Sequence, residues 1–339
     1  MTRAESYRPL GVIGCLTAGF EIVSRRVWLV LLPVLIDMFL WLGPRLSMSP
    51  VLQSLISFMS AQTVPDPTTA RQAAEAMQIL EQFGQEFSGF SLLSLLPLLN
   101  VPSLLAHHTL QAVSPLGEPH VLSIMSLLEL IGWGILLLPI GLVLGFLYLD
   151  RLAHWVSARR LPDEQKAISS QTEGENKDVL VLGGIGKFIR FFLFAIGLLL
   201  FAVIFIFLWA VIVGIATLIA PFLGLLIGMI GLGLANYIIL HLLFVIPGVM
   251  LGERGLWRAT WESAGLMHTQ FLSTMGFLIL TAVIYGGLGH IWLLPSADSW
   301  LLLIGILGNS CVTTALTAAS FVFYQERIMQ LREMVQLSA

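Results

Sequence analysis

Charged residues are scarce in this sequence: only 11% of its 339 residues are Asp, Glu, Lys or Arg, and the formal net charge is −3. No run of like charges occurs, so the composition gives no basis for binding nucleic acid. Hydrophobic residues make up 57% of the chain and the mean hydropathy is +0.90, both far above the averages of soluble domains. The composition therefore predicts an integral membrane protein whose main partner is the lipid bilayer.

Cysteine is also scarce, and common catalytic signatures are missing. The two cysteines, Cys15 and Cys311, are predicted to lie at different membrane depths, so we expect no disulfide between them. No HExxH, GxSxG or CxxC motif occurs. His107 and His108 are adjacent, so they do not share a helical face as a metal site on one helix requires. We therefore expect no enzymatic activity, no cofactor and no bound metal.

Long apolar segments, by contrast, are abundant. A helix of about 20 apolar residues crosses a hydrocarbon core of roughly 30 Å. Six segments meet or approach this length: 27–42, 121–149, 188–219, 221–251, 271–294 and 300–324. The first is the shortest and carries Pro33 and Asp37. The sequence thus predicts an all-α, polytopic membrane helical bundle of about six transmembrane helices.

Lysine and arginine are distributed unevenly among the segments outside these spans. Fifteen of the 17 lie in or beside four segments, namely the N-terminal segment 1–26, the linker 150–187, the segment 252–270 and the tail 325–339. The opposite side has only Arg45 and Arg71. Because positively charged loops stay in the cytoplasm, both termini are predicted to be cytoplasmic. Residues 10–24 are predicted to form an amphipathic helix on the membrane surface.

Residues 43–120 are predicted to form a helical extracytoplasmic cap. Two stretches of this segment, 50–60 and 68–83, repeat apolar residues at helical spacing. The stretch that follows, 91–108, is nearly free of charge but is interrupted by Pro97 and Pro102. It is predicted to lie in the interface or to re-enter the membrane rather than to span it.

The stretch GERGLWRATWESAGLMHTQF, 252–271, predicts a helix lying in the cytoplasmic interface. It carries a charged stripe and an opposite, less polar stripe at helical spacing. The charged stripe consists of Arg254, Arg258 and Glu262, and the opposite stripe of Leu256, Thr260, Ser263 and Met267. Trp257 and Trp261 lie at the boundary, where tryptophan anchors helices at headgroup level.

The longer segment FVIPGVMLGERGLWRATWESAGLMHTQFLSTMGFLIL, 244–280, resembles part of bacterial six-span membrane proteins of unknown function. These include YciC-like inner-membrane proteins and the membrane domain fused to some glycerophosphodiester phosphodiesterases. The matching positions are Pro247, Glu253, Ala259 and Ser263, and the similarity covers the last four spans. It implies a multi-pass protein of the bacterial cytoplasmic membrane. No phosphodiesterase domain is evident, so that activity is not carried over.

Small residues predict that some of these helices pack closely. Gly141 and Gly145 form a GxxxG pattern in the second span, and Gly224, Gly228 and Gly231 form a stripe in the fourth. Glycine at such spacing lets two helix backbones approach.

A few polar side chains lie inside the apolar segments. Asp37, Glu129 and His290 fall in the outer halves of spans one, two and five, roughly 6 to 12 Å from their outer ends at 1.5 Å per residue. His241 falls in the inner half of span four, and Asn309 near the middle of span six. An uncompensated charge in lipid costs about 2.5 kcal/mol or more, so these groups should face protein or water. They either satisfy one another or backbone carbonyls, or line a polar cavity open to the outside.

Two functions are compatible with these features. A non-enzymatic scaffold or accessory subunit would bind a membrane-protein partner or lipid through the cap and the interfacial helix. A transporter or permease component would use the outward-facing polar cavity. We find no internal repeat and no pair of helices broken at equivalent places, as many transporters have, and this favours the scaffold. The substrate, the partner and the oligomeric state stay open.

Overall fold

The computed structural model describes residues 10–61, 91–98, 101–106, 114–159, 177–252 and 255–338. Several predictions lie outside these ranges: the helix at 68–83, the adjacent histidines, the central part of the 150–187 linker, and the two charged residues Glu253 and Arg254. The described chain is mostly helical, as the composition predicts.

The helices and the two strands follow one another in chain order. The helices are α1 (Val12–Arg25), α2 (Leu31–Leu42), α3 (Ser49–Ala61), α4 (Leu95–Leu98), α5 (Leu127–Ala158), α6 (Lys177–Ile219), α7 (Pro221–Leu242), α8 (Val245–Leu251), α9 (Leu256–Thr269), α10 (Phe271–Trp292) and α11 (Leu302–Ser338). Strand β1 (Arg45–Ser47) pairs in parallel with β2 (Val121–Ser123). Short 3₁₀ turns occupy Val27–Val30 and Leu92–Ser94.

Five described helical segments are long and apolar enough to cross a membrane: Leu127–Ala158, Gly183–Ile219, Pro221–Leu251, Phe271–Trp292 and Leu302–Leu331. By length and composition, these segments agree in outline with five of the six predicted spans. The predicted first span is different, because Val27–Leu42 is a shorter apolar segment. It divides into a 3₁₀ turn and a 12-residue helix, which together rise about 26 Å at roughly 2.0 and 1.5 Å per residue.

Several predicted boundaries differ from the observed helix ends. The helix of the third predicted span begins at Lys177, inside the predicted linker, rather than at residue 188. Residues 121–123 form a strand, so the second span begins at Leu127 rather than at residue 121, and its helix continues to Ala158. The last span continues as one helix through the predicted tail, to Ser338. Glu326 and Arg327 in that extension are buried, so this part of the tail packs against the protein.

The chain forms two compact units. The first is built from Met1–Arg25, Leu149–Ala282 and Ala315–Ala339, and the second from Arg26–Tyr148 and Val283–Thr314. In the first unit, α1 packs on α11 at Gly19, where a Cβ atom would lie 2.6 Å from the backbone N of Ala319 and would also meet Ala315. The apolar face of α1, including the fully buried Cys15, is therefore covered by protein. The prediction of a helix is confirmed, but that face does not lie on the membrane surface.

The first unit also contains a helical hairpin formed by α6 and α7. Gly224 and Gly231 make room for the side chains of Thr217 and Trp209, and the Trp209 indole donates a hydrogen bond to the carbonyl of Ile227 at 3.1 Å. Two members of the predicted glycine stripe thus serve helix packing, as expected. A Cβ atom at Gly228, the third member, would meet open space.

Within the second unit, the segment after Ser91 packs against α5. A Cβ atom at Gly141, near the middle of that helix, would lie 2.7 Å from the carbonyl oxygen of Leu96. Leu93, Leu104 and Leu105 are buried. Residues 91–98 and 101–106 are therefore an apolar segment enclosed by protein, with one short helix rather than a span.

Candidate functional site

Asp37 lies in α2 and is completely buried. Its carboxylate accepts hydrogen bonds from the Ser103 hydroxyl and from the backbone N–H groups of Leu104, at 2.9 Å, and Leu105, at 3.3 Å. Backbone donors outside a helix need partners in an apolar environment. Asp37 supplies these partners and so holds the turn at 103–106 against α2.

Glu129 and His290 have partners of their own. Glu129 lies in the first turn of α5 rather than well inside a span, because residues 124–126 are not helical. Its carboxylate accepts from the N–H of Met125 at 2.9 Å, while Ser126 Oγ accepts from the N–H of Glu129 at 3.2 Å. This is a reciprocal helix cap. His290 Nδ1 contacts the carbonyl oxygen of Gly286 at 2.7 Å, one turn earlier.

No hydrogen bond or ion pair within the described ranges joins any two of Asp37, Glu129 and His290. Glu129 and His290 are exposed, whereas Asp37 is enclosed. Each of the three side chains thus bonds its own nearby partners. The residues of the predicted outer cluster do not contact one another directly.

The inner polar residues differ from each other. His241 Nδ1 contacts the carbonyl of Tyr237 at 2.8 Å. Asn309 is buried in α11 beside three more buried hydroxyl residues, Ser310, Thr313 and Thr314. Thr313 bonds the carbonyl of Asn309 at 2.7 Å, as hydroxyl residues in membrane helices commonly do. Asn309 therefore belongs to a polar face of the most buried span.

The helix predicted within residues 252–271 is observed as α9. Trp257 and Trp261 are 74% and 63% exposed, and Met267 and Ser263 are buried. Ser263 bridges the break between α7 and α8, since its hydroxyl donates to the His241 carbonyl at 2.6 Å and accepts from the Phe244 N–H at 3.1 Å. Ser263 is therefore buried because its hydroxyl bonds these two backbone groups, as well as because it lies on the less polar face of α9.

Glu262 departs from the predicted charged stripe. Its side chain is only 19% exposed, against 71% for Arg258, its partner at 3.4 Å. The other carboxylate oxygen accepts from the Tyr324 hydroxyl of α11 at 3.0 Å. Glu262 therefore joins α9 to α11 instead of facing only the cytosol.

A cleft of about 180 Å³ lies beside this connection in the first unit. Its lining residues come from the end of α8 and from α11: Gly248, Leu251, Gly252, Tyr324, Gln325, Ile328 and Met329. A Cβ atom at Gly248 would lie 2.8 Å from the Tyr324 hydroxyl oxygen. Glycine at this position thus leaves room for the Tyr324 hydroxyl beside Glu262.

Sequence reasoning missed two residues of these arrangements. Ser103 follows Pro102, a pattern typical of turn starts, and this signal could have marked it as a partner for a buried carboxylate. Tyr324 gave no such signal, because one tyrosine at the end of an apolar span is common at interfaces. Their partners lie 66 and 62 residues away in the chain.

Comparison with family models, with curated proteins and with solved structures gives no match to this chain. Among the residues that the structure describes, no group of three or more His, Cys, Asp or Glu side chains is placed to hold a metal ion.

Proposed function

We propose that this chain is a non-enzymatic scaffold or accessory subunit of a bacterial cytoplasmic membrane, which binds a membrane-protein partner through α7. The observation that carries this proposal is the exposed Asn236, midway along the span Pro221–Leu251. Its amide donates to the Leu232 carbonyl at 2.9 Å, and its side chain forms no other hydrogen bond within the described part of the chain. An asparagine at mid-membrane depth typically bonds a neighbouring helix.

The surroundings of Asn236 suit a partner helix. Gly233 lies one turn earlier on the same face, and a Cβ atom there would meet nothing within 4 Å. Met229, one turn before Gly233, is exposed. A glycine beside a polar side chain allows close approach of a second backbone, as at other membrane helix interfaces. Polar lipid-facing residues are otherwise costly.

The test is retention of a partner after purification from native membranes. We expect Asn236→Leu and Gly233→Leu each to abolish co-purification of a stoichiometric membrane protein, identified by mass spectrometry. Gly197→Leu is the matched control, because Gly197 is an exposed glycine of α6 with open space around it. Equal retention in all variants would overturn the proposal. A disulfide-linked dimer of a Met229→Cys variant would identify a second copy of the chain as the partner.

We further propose six spans with both termini in the cytoplasm. Leu10 N–H donates to Glu326 at 3.2 Å, so the start of α1 lies beside the end of α11. Strand β1 pairs with β2, which precedes α5. Five alternating spans would put the start of α5 and the end of α11 on opposite sides, and this supports a crossing by residues 26–44. Their exposed apolar stripe, Val27, Leu31, Leu35 and Phe39, suits contact with lipid.

Cysteine labelling distinguishes six spans from five. In a background without Cys15 and Cys311, Asp298→Cys and Ser24→Cys are treated in sealed cells with an impermeant thiol reagent. Six spans predict labelling at position 298 and protection at position 24. Five spans place both positions on one side, so equal reactivity at the two sites would contradict the proposal.

A further inference from the structure

The cleft beside Tyr324 lies next to a helix whose aromatic side chains suit the level of lipid headgroups. It adjoins α9, whose Trp257 and Trp261 project outward with ring centroids 5.8 Å apart. Exposed tryptophans of membrane proteins concentrate at the level of the headgroups. The interfacial helix therefore sets the cleft at the boundary between the hydrocarbon and the cytoplasm.

The cleft is also amphipathic. Leu251, Ile328 and Met329 form an apolar wall, and Tyr324 and Gln325 form a polar one. Its volume of about 180 Å³ is below the roughly 300 Å³ of pockets that enclose whole drug-sized ligands. Such a cleft holds one end of a long molecule and leaves the remainder in the bilayer.

Opposite charges lie next to this polar wall. Arg258 is mostly exposed and ends 3.4 Å from Glu262, whose carboxylate also accepts from Tyr324. A carboxylate has about four acceptor positions and accepts hydrogen bonds from ammonium groups. A guanidinium binds phosphate through paired hydrogen bonds. The site thus places a guanidinium that can donate hydrogen bonds to a phosphate beside a carboxylate that can accept them from an ammonium group.

We propose that this cleft binds the headgroup end of phosphatidylethanolamine. Its phosphate pairs with Arg258 and its primary ammonium donates to Glu262, while the Tyr324 hydroxyl orients that carboxylate. Phosphatidylcholine lacks the N–H donors that Glu262 needs, and phosphatidylglycerol lacks the cation. The site lies on α8, α9 and α11 and does not use the face of α7 around Asn236, so this proposal and the partner proposal fail separately.

The test is native mass spectrometry of the full chain in detergent micelles that contain one dioleoyl lipid at a fixed ratio to protein. The three lipids are phosphatidylethanolamine, phosphatidylcholine and phosphatidylglycerol. We expect retention of the ethanolamine lipid to be highest. Arg258→Gln and Glu262→Gln should each lower it by about tenfold, the effect of losing one charge-assisted hydrogen bond.

The matched control is the exposed pair Arg25 and Glu21 on α1, which has the same i,i+4 spacing at 2.7 Å. Arg25→Gln and Glu21→Gln should leave lipid retention unchanged. Should Glu262→Gln fail to fold, Tyr324→Phe replaces it and should lower the preference for ethanolamine over choline. Equal retention of all three lipids would overturn the proposal. So would highest retention of phosphatidylglycerol, because Arg258 alone would then explain binding.

Discussion

Helix α11 and the helices of the α6–α7 hairpin are all long and apolar enough to cross a membrane, but α11 is mostly buried against protein and the hairpin is mostly exposed. The most apolar stretch of α6 has a mean hydropathy of 3.1, and only 17% of that stretch is buried inside the protein. The corresponding stretch of α11 has a mean hydropathy of 1.6, and 61% of it is buried. The buried helix α11 carries Asn309, Ser310 and three buried alanines, at positions 315, 318 and 319, whereas α6 is aliphatic and aromatic on its exposed surface. In a bilayer, apolarity marks contact with lipid, and small or polar residues mark contact with protein.

The largest expected effect comes from removing a buried aromatic side chain of α11. Phe323 is fully buried, with ring centroids 4.6 Å from Phe277 and 5.7 Å from Phe244. Phe323→Ala should lower the free energy of unfolding by about 3–5 kcal/mol, measured by SDS titration in mixed micelles. Phe207→Ala on the exposed face of α6 should stay within about 0.5 kcal/mol of wild type. Similar losses at both positions would break the comparison.

The second prediction extends the comparison to the ionisable groups. Asp37→Ala leaves buried donors of Ser103, Leu104 and Leu105 without their acceptor, at about 1–3 kcal/mol for each unpaired group. Glu129→Ala removes only an exposed helix cap, worth about 0.5–2 kcal/mol. We expect the Asp37 variant to melt at the lower temperature in circular-dichroism scans. The reverse order would show that the turn at 103–106 has another acceptor.

Glycine substitutions test how closely other backbones approach α11 and α6. Gly19→Ala drives a methyl group into the backbone of α11 and should cost about 1–3 kcal/mol, as overpacking does. Gly214→Ala in α6 meets open space and should gain up to about 1 kcal/mol from helix propensity. The same SDS titration measures both variants. Stabilisation by Gly19→Ala would mean that α1 does not rest on α11.

The smallest expected effect concerns the contact of Trp209 with Gly231 in the α6–α7 hairpin. Trp209→Phe removes the hydrogen bond to the Ile227 carbonyl while keeping a ring beside Gly231. The loss should be about 1 kcal/mol, the net worth of a neutral hydrogen bond. Thermal melting of the full chain measures it. A loss as large as that of Phe323→Ala would make the hairpin as tightly packed as α11.

Much of the fold could be predicted from length and pattern. The five long apolar helices, the helix α9 and the packing role of Gly224 and Gly231 follow from local spacing alone. The bounds of the first apolar segment, Val27–Leu42, could also be predicted, but the enclosure of Asp37 could not, because its partners are 66 or more residues away. Part of the candidate site could be predicted from the sequence. The pattern of α9 identified Arg258, Trp257 and Trp261, but no local pattern identified Tyr324.

The sequence by itself determined the class of protein, because 57% hydrophobic residues cannot be buried in a chain of this length without a bilayer. It also determined most of the helical segments, since only internal hydrogen bonds satisfy the backbone in lipid, although residues 121–123 form a strand. The tertiary structure alone decided which helix faces meet protein. Helix α10, with hydropathy 1.8 and 11% of its window buried, resembles α11 in composition but not in burial. Burial depends on contacts between distant segments, such as Glu262 with Tyr324, and no local pattern encodes those.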